Sequence, residues 1–550
     1  MFRLPIRFLF LSMLLLLTLF VGSARAATDS VHAGPASLAT IVSGFGGDFN
    51  SRIAAIDALG VDGSDDARRV LVALEAGNLG LAADRVVIVD GETVLDAATG
   101  EALQTAVAEV DTITVNNRIR RAIATANAAF ALVSSNRAER LSAATILREN
   151  ATENLLPVLE RALDKEQDDA VGSVLSYAVA KINLSSADAA KRLSAAVALG
   201  ESSDPAVKNM LAALLEKSGE GSSATWIEPV AEVRAAAEAS IRTIDRRVAT
   251  AQTVGTVFSG LSLGSILLLA ALGLAITYGV MGIINMAHGE LLMVGAYATF
   301  IVQGLFRNYL PAWIDWYVLA AIPVAFFAAA LVGVVMERLV LRHLYGRPLE
   351  SLLATWGLSL VLIQAARVTF GPQNLELSNP SWMSGGIELA AGVVLPFNRI
   401  VIIGFAAFVL LLIWLMMQKT RLGMFVRAVT QNRPMAGCVG VPTARVDTLA
   451  FAIGSGVAGL GGLALSQIAN VGPAMGQGYI VDAFMVVVLG GVGQLAGAVW
   501  AALGLGIVAK FLEGWAGAVI AKILVLVFII IFIQKRPQGI FALKGRFADS

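Results

Sequence analysis

Three polar interruptions in an apolar half-chain are where chemistry has to be sought. In TYGVMGIINMAHGE (residues 277–290), Gly279 and Gly282 end one helical pattern, Asn285 is placed to cap the next, and His288, Gly289 and Glu290 open it. A carboxylate in a first turn is favoured by the positive end of the helix dipole. Such a discontinuity could line a path for a polar solute, or it could be a tight helical hairpin with its capping residues. GGVGQLAGA (residues 490–498) is too rich in glycine for an ordinary helix centre. Irregular backbone at membrane depth is tolerated only where protein or a water-filled cavity surrounds it. Gly490, Gly491 and Gly493 are therefore candidates either to offer backbone groups to a solute or to bring helices close together.

The third interruption is KTRLGMFVRAVTQNRPMAGCVGVPTARV (residues 419–446), the one sizeable basic loop of the second half. Residues 423–429 and 435–439 have the pattern of two short helices, with Asn432 capping the second and Pro434 near its start, where a missing N–H is harmless. Positive charge alone would orient the chain in a membrane. The small residues Gly423, Ala428, Ala436, Gly437 and Gly440 go further, because orientation needs no close-packing positions. They point to docking of something soluble.

The elements that position these stretches are membrane spans. The chain has 550 residues, 57% of them hydrophobic, and a mean hydropathy of +0.73, too apolar for a soluble protein of this length. Candidate spans cover residues 257–278, 286–306, 316–336, 351–370, 401–417 and 449–468. Two short crossings flank the glycine-rich turn, and a last span covers 519–532. The expected fold is an all-α polytopic bundle of about nine crossings, some broken or re-entrant. Residues 1–26 read as a secretory signal, with Arg3 and Arg7 ahead of an apolar run and Ala24-Arg25-Ala26 as the cleavage site. Export of residues 27–250 puts residues 337–350 and 419–445 inside, and both carry the Lys/Arg excess that cytoplasmic loops show.

Residues 27–250 differ in character. They hold 31 acidic against 21 basic residues, while residues 251–550 hold 10 against 17. An acidic exported domain argues against a nucleic-acid partner. RIAAIDALG (52–60), ERLSAATIL (139–147) and KRLSAAVALG (191–200) look like versions of one helix, and the last two are each followed by another helical pattern. Antiparallel pairs of this kind resemble HEAT-type solenoids. Within them, residues 84–103 carry a β-branched run and an Asp90-Gly91 turn, the signature of an inserted β-hairpin. That hairpin would either meet a partner or cover the helix stack. The domain has no cluster with metal or catalytic spacing, and Asp65-Asp66 and Asp168-Asp169 read as helix N-terminal charges. Cys438 is the lone cysteine, so no intrachain disulfide forms. The expected organisation is a signal peptide (1–26), a periplasmic helical-repeat domain (27–250) and a transmembrane domain (251–550) with its basic loop at 419–445.

The motifs resemble those of permease subunits of branched-chain amino-acid ABC importers. The resemblance covers residues 260–297, including Asn285, Ala287, His288, Gly289 and Glu290. It continues through Arg421, Gly423, Arg427, Ala428, Met435, Ala436 and Gly440, which look like the family's ATPase-coupling loop, to RPQGIF at 536–541. Within the family, the long N-terminal domain and RHLYGRPLESLLATWGLSL (342–360) resemble the urea-transport branch. The resemblance implies a multi-pass bacterial inner-membrane protein, set in membrane lipid, with its C-terminus in the cytoplasm. Two ATP-binding cassette subunits, a second, different permease and a periplasmic solute-binding protein would be its partners. No cofactor, metal, catalytic residue or nucleic acid is implied. The chain has no Gly-x-x-x-x-Gly-Lys-Ser/Thr loop, so it should not hydrolyse ATP itself. Urea is the expected substrate, with branched-chain amino acids or short-chain amides as alternatives. A passive channel, an ion-coupled carrier and a sensor are the rivals of other classes.

Overall fold

Fifty-one consecutive helical residues, Ala231–Met281, form the longest element of the chain, a rod of roughly 75 Å at 1.5 Å per residue. The computed structural model describes residues 37–541, apart from 84, 105–106, 108–109, 203, 219–224, 391–392, 492 and 537–538. The signal-peptide reading and part of the C-terminal RPQGIF motif lie outside the described residues. By packing, the chain divides into two compact units, Met1–Leu199 and Gly200–Ser550.

The first unit is helical with one small sheet. Its helices are α1 (Leu38–Ser43), α2 (Phe49–Asp62), α3 (Asp65–Glu75), α4 (Asn117–Ala131), α5 (Arg137–Asn150), α6 (Leu156–Lys165), α7 (Asp169–Asn183) and α8 (Ala189–Leu199). Side-chain oxygens of Asp48, Ser64, Asn116, Asn136 and Asp168 cap α2, α3, α4, α5 and α7, which satisfies amides that each first turn leaves unpaired. The hairpin read from residues 84–103 is present as β2 (Arg85–Asp90) and β3 (Thr93–Asp96). It forms the middle of a larger antiparallel sheet, ordered β4-β3-β2-β1-β5, with β1 at Leu79–Ala82, β4 at Ala102–Leu103 and β5 at Asp111–Thr112. Leu79, Val86 and Ile88 enter the same core as Ile56, Leu59, Leu71 and Ile123. One face of the sheet thus covers the helices.

The repeat has a visible device. Arg140 Nη1 donates to the carbonyls of Ser134 and Ser135 at 3.0 and 3.2 Å, folding its guanidinium back over the turn that precedes α5. Arg192 does the same to Ser186 and Ala187. In the second unit Arg234 does so to Glu228 and Pro229. The donor is always six and five residues beyond its acceptors. The start of Ala231–Met281 therefore carries the signature of a repeat helix, and the same helix continues without interruption as an apolar span.

The second unit holds α9 (Pro205–Leu214), the short strands β6 (Lys217–Ser218) and β7 (Thr225–Trp226), and the long helix α10 (Ala231–Met281). These are followed by α11 (His288–Tyr309), α12 (Tyr317–Leu339), α13 (Pro348–Phe370), a hairpin of β8 (Gly386–Ala390) and β9 (Val393–Pro396), and α14 (Phe397–Lys419). The basic loop forms α15 (Arg421–Gln431) and α16 (Arg433–Cys438). The chain then completes α17 (Thr443–Ser466), α18 (Met475–Gly490), α19 (Leu495–Ala516) and α20 (Ala518–Lys535). Eight of these helices are long and apolar enough to cross a membrane, and α18 is a shorter apolar helix. The fold is the all-α polytopic bundle the hydropathy pattern predicts. α17 is its centre, packed against α10, α11 and α12. Glycines make this possible: a Cβ on Gly459 would fall 2.5 Å from the Ala325 carbonyl oxygen of α12, and one on Gly454 2.6 Å from that of Gly273 on α10.

Candidate functional site

The first break is built at the end of α10. Gly282 takes φ +66° and stops the helix, and the chain folds back so that α11 begins beside residues 270–273. His288 Nε2 lies 2.9 Å from the Ala270 carbonyl. A carbonyl can only accept, so in the neutral ring Nε2 carries the proton and Nδ1 is left as an acceptor. Asn285 Oδ1 accepts from the Ala287 amide at 3.1 Å. It closes the turn ahead of the helix, while Ala287 itself occupies the N-cap position. Glu290 Oε1 accepts from Ser359 Oγ of α13 at 3.0 Å, and Thr355 Oγ1, also on α13, accepts from the Met286 amide at 3.1 Å. Gly289 meets the backbone of Gly476 at the start of α18.

Asn285, His288 and Glu290 are 2%, 0% and 1% exposed. Asn285 Nδ2, His288 Nδ1 and Glu290 Oε2 have no hydrogen-bond partner among the described residues. Buried polar atoms are normally paired, so a cluster with three spare hydrogen-bonding atoms is suited to rearrange around a polar solute. Residue patterns missed Thr355 and Ser359. Their signal was the spacing of Ser351, Thr355 and Ser359, three hydroxyls four residues apart along one face of α13.

The second break lies at the other end of α18. A Cβ on Gly490 would come within 2.5 Å of the Gly497 carbonyl carbon, so α18 and α19 meet backbone to backbone there. Gly491 and Gly493 take φ +97° and +76°, and the Ile540 amide donates to the Leu489 carbonyl at 2.8 Å. Gly476 and Gly490 are separated by roughly 21 Å of helix. His288–Glu290 and the Gly490–Gly497 contact therefore lie at opposite ends of α18, while Gly279, near the end of α10, packs against Gly493.

The basic loop forms the expected pair of helices. Thr420 Oγ1 accepts from the Gly423 amide, capping α15, and Asn432 Oδ1 accepts from the Met435 amide at 3.0 Å, capping α16. Gly423 packs on the backbone of Met417 at the end of α14, and Arg427 donates to the Met417 carbonyl. Ala436 is buried and Ala428 half-buried, while Arg421 is exposed. Gly440 takes φ +85° and reverses the chain toward α17. Arg433, absent from the motif reading, forms a two-pronged ion pair with Asp447 of α17 and lies over the Tyr345 ring at 4.5 Å. Asp447 is 1% exposed. Its partners come from distant segments, which is why no local spacing revealed it. The outward face carries exposed Met424, Met435 and Val439.

Residues 256–533 match the family model described as branched-chain amino acid transport system, permease component. LivH of Salmonella typhimurium strain LT2, a high-affinity branched-chain amino acid transport system permease protein, is 30% identical over 291 residues, covering 52% of this chain and 93% of LivH. The chain belongs to this permease family. It is a transport component of a multi-pass membrane type, not an enzyme. BraD of Pseudomonas aeruginosa, a permease protein of the same description, is 29% identical over 288 residues, covering 51% of this chain and 93% of BraD. The ribose import permease protein RbsC of Escherichia coli K12 is 28% identical over 251 residues, covering 44% of this chain and 71% of RbsC. No solved structure matches the chain. The helices and the small sheet before residue 256 lie outside the family match.

Proposed function

We propose that this permease is the membrane-spanning subunit of an ATP-driven importer in the bacterial inner membrane, and that its substrates are branched-chain amino acids. The observation that carries this reading is the family match over residues 256–533, joined to a docked helix pair of the kind an ATPase could grip. The ATP-binding cassette subunits would sit on Arg421, Met424, Met435 and Val439, with hydrolysis confined to them. A second permease would complete the path, and a periplasmic binding protein would deliver the substrate. The helical-repeat domain would lie in the periplasm. The expectation of urea finds no support in LivH, BraD or RbsC, whose names concern branched-chain amino acids and ribose, so amino acids take its place.

Force applied to α15 and α16 has a continuous route inward. Gly423 and Arg427 hold α15 to α14, and Arg433 holds α16 to Asp447 at the base of α17. α17 then touches α12 and also α10 and α11, the two helices that the Asn285–Glu290 break joins. Alternating access would move this break around α18. Reconstitution of the permease with its ATPase and second permease should give uptake of radiolabelled leucine that requires ATP and binding protein and exceeds that of urea. Uptake by this chain alone without ATP would replace the importer with a passive or ion-coupled carrier.

A further inference from the structure

α18 and α20 each carry one charged residue inside an apolar run, and these two charges face each other. Asp482 is the sole charge of Met475–Gly490, and Lys522 is the sole charge of α20 before its last residue. Lys522 Nζ donates to the Gly478 carbonyl at 3.1 Å and stands 3.4 Å from Asp482 Oδ2. A charge-assisted contact usually closes to about 2.7–2.9 Å, so the pair is loose. It is also incompletely buried: the Lys522 side chain is 49% exposed and that of Asp482 19%. A Cβ added at Gly478 would meet nothing within 4 Å, so open space adjoins the pair. Half-exposed charges on spans are costly against lipid and mark functional positions.

We propose that Asp482 and Lys522 form a binding site for a zwitterionic amino acid, Asp482 taking the α-ammonium and Lys522 the α-carboxylate, on the incompletely buried face where α18 meets α20. This deepens the amino-acid reading of the permease and rests on it. Lys522 has three donors and Asp482 two acceptor oxygens, so both groups keep capacity for a ligand after their mutual contact. The space beside Gly478 would admit the ligand's Cα and the start of its side chain.

The test is binding of tritiated L-leucine to the detergent-solubilised complex of this chain, its paired permease and its ATPase subunits, without binding protein. Lys522→Met and Asp482→Asn should assemble normally and weaken leucine binding roughly 10- to 100-fold, with Lys522→Arg restoring most of it. Leucinamide, which lacks the carboxylate, should compete equally well with or without Lys522→Met, but worse after Asp482→Asn. Gly478→Val should weaken binding by filling the space. Unchanged affinity in assembled variants, or a wild-type complex that transports leucine in the reconstituted system yet binds none here, overturns the proposal. So does loss of assembly in the neutral variants alone, which would assign the pair to a subunit contact. A wild-type complex that takes up no leucine at all defeats the amino-acid reading itself.

Discussion

Glu290 and Ser359 show how one buried hydrogen bond can be tested without disturbing the bundle. Glu290 has a single partner, Ser359 Oγ, and its second oxygen has none among the described residues. Ser359→Ala should cost about 1–3 kcal/mol, because it strands a buried carboxyl group. In a Glu290→Met background the same substitution should be nearly neutral, as no polar atom is left to strand. Thermal unfolding of the four purified proteins in detergent measures the difference, and equal shifts in both backgrounds would show that the bond contributes nothing. The helices of the first unit offer a pH-dependent counterpart. The hydrogen-bonded Arg140 guanidinium, helped by the amides of Asp168 and Gln167, holds the Glu166 carboxyl at about 2 against an ordinary 4.5. A carboxyl with a depressed folded pKa stabilises fully above its unfolded value, and that stabilisation disappears as pH falls through the folded one. The gap in unfolding temperature between the wild type and Glu166→Gln should therefore narrow between pH about 4.5 and 2. A gap independent of pH would place the effect in packing.

At the scale of elements, the docked helix pair separates fit from charge. Gly423 has the Met417 backbone where a side chain would go, whereas a Cβ on Gly437 meets nothing within 4 Å. Gly423→Val should displace α15 and reduce ATP-dependent uptake at least about fivefold, since overpacking costs roughly 1–3 kcal/mol, while Gly437→Ala should leave uptake near wild type. Equal losses would mean that surface chemistry, not seating, matters in this loop. Arg427→Ala belongs with the first kind, because its guanidinium is turned onto the Met417 carbonyl and braces the loop. Much of this pair was legible in the sequence: Asn432 and Pro434 are local signals, and local signals fix helix starts. The spans were legible for the same reason, through hydropathy summed over many residues. Arg433 with Asp447 and Tyr345 was not, because pairing across 14 and 88 positions leaves no periodic trace. Nor were β1, β4 and β5, where Gly80 and two-residue strands carry no alternating pattern, so that pairing alone, β1 to β2, β4 to β3 and β5 to β1, makes them strands. Glu290 was legible as a residue, but its partner on α13 was not.

At the scale of the whole molecule, the decisive fact is that α10 runs unbroken from its polar start into its apolar span. Its first turns carry the Arg234 brace of a repeat helix, Lys208 of α9 pairs with Asp245 at 2.7 Å, and Arg247 donates to the Glu201 carbonyl. The same helix then reaches Gly264, Gly273 and Gly279, which touch α19, α17 and the α18–α19 turn. A flexible linker would let residues outside the membrane move independently of the span. A continuous hydrogen-bonded helix instead transmits rotation and tilt along its length, up to the break that leads into Asn285. Proline at Ala249, an exposed position between the α9 contacts and the apolar run, removes one backbone hydrogen bond and clashes with the preceding turn, at a cost of about 3 kcal/mol or more. The kinked permease should still insert and still bind its ATPase subunits. If rigidity of α10 matters for transport, leucine uptake should fall several-fold, and Ala249→Leu, which keeps the helix, should spare it. Uptake equal to wild type in the proline variant would mean that the continuity of α10 has no mechanical role.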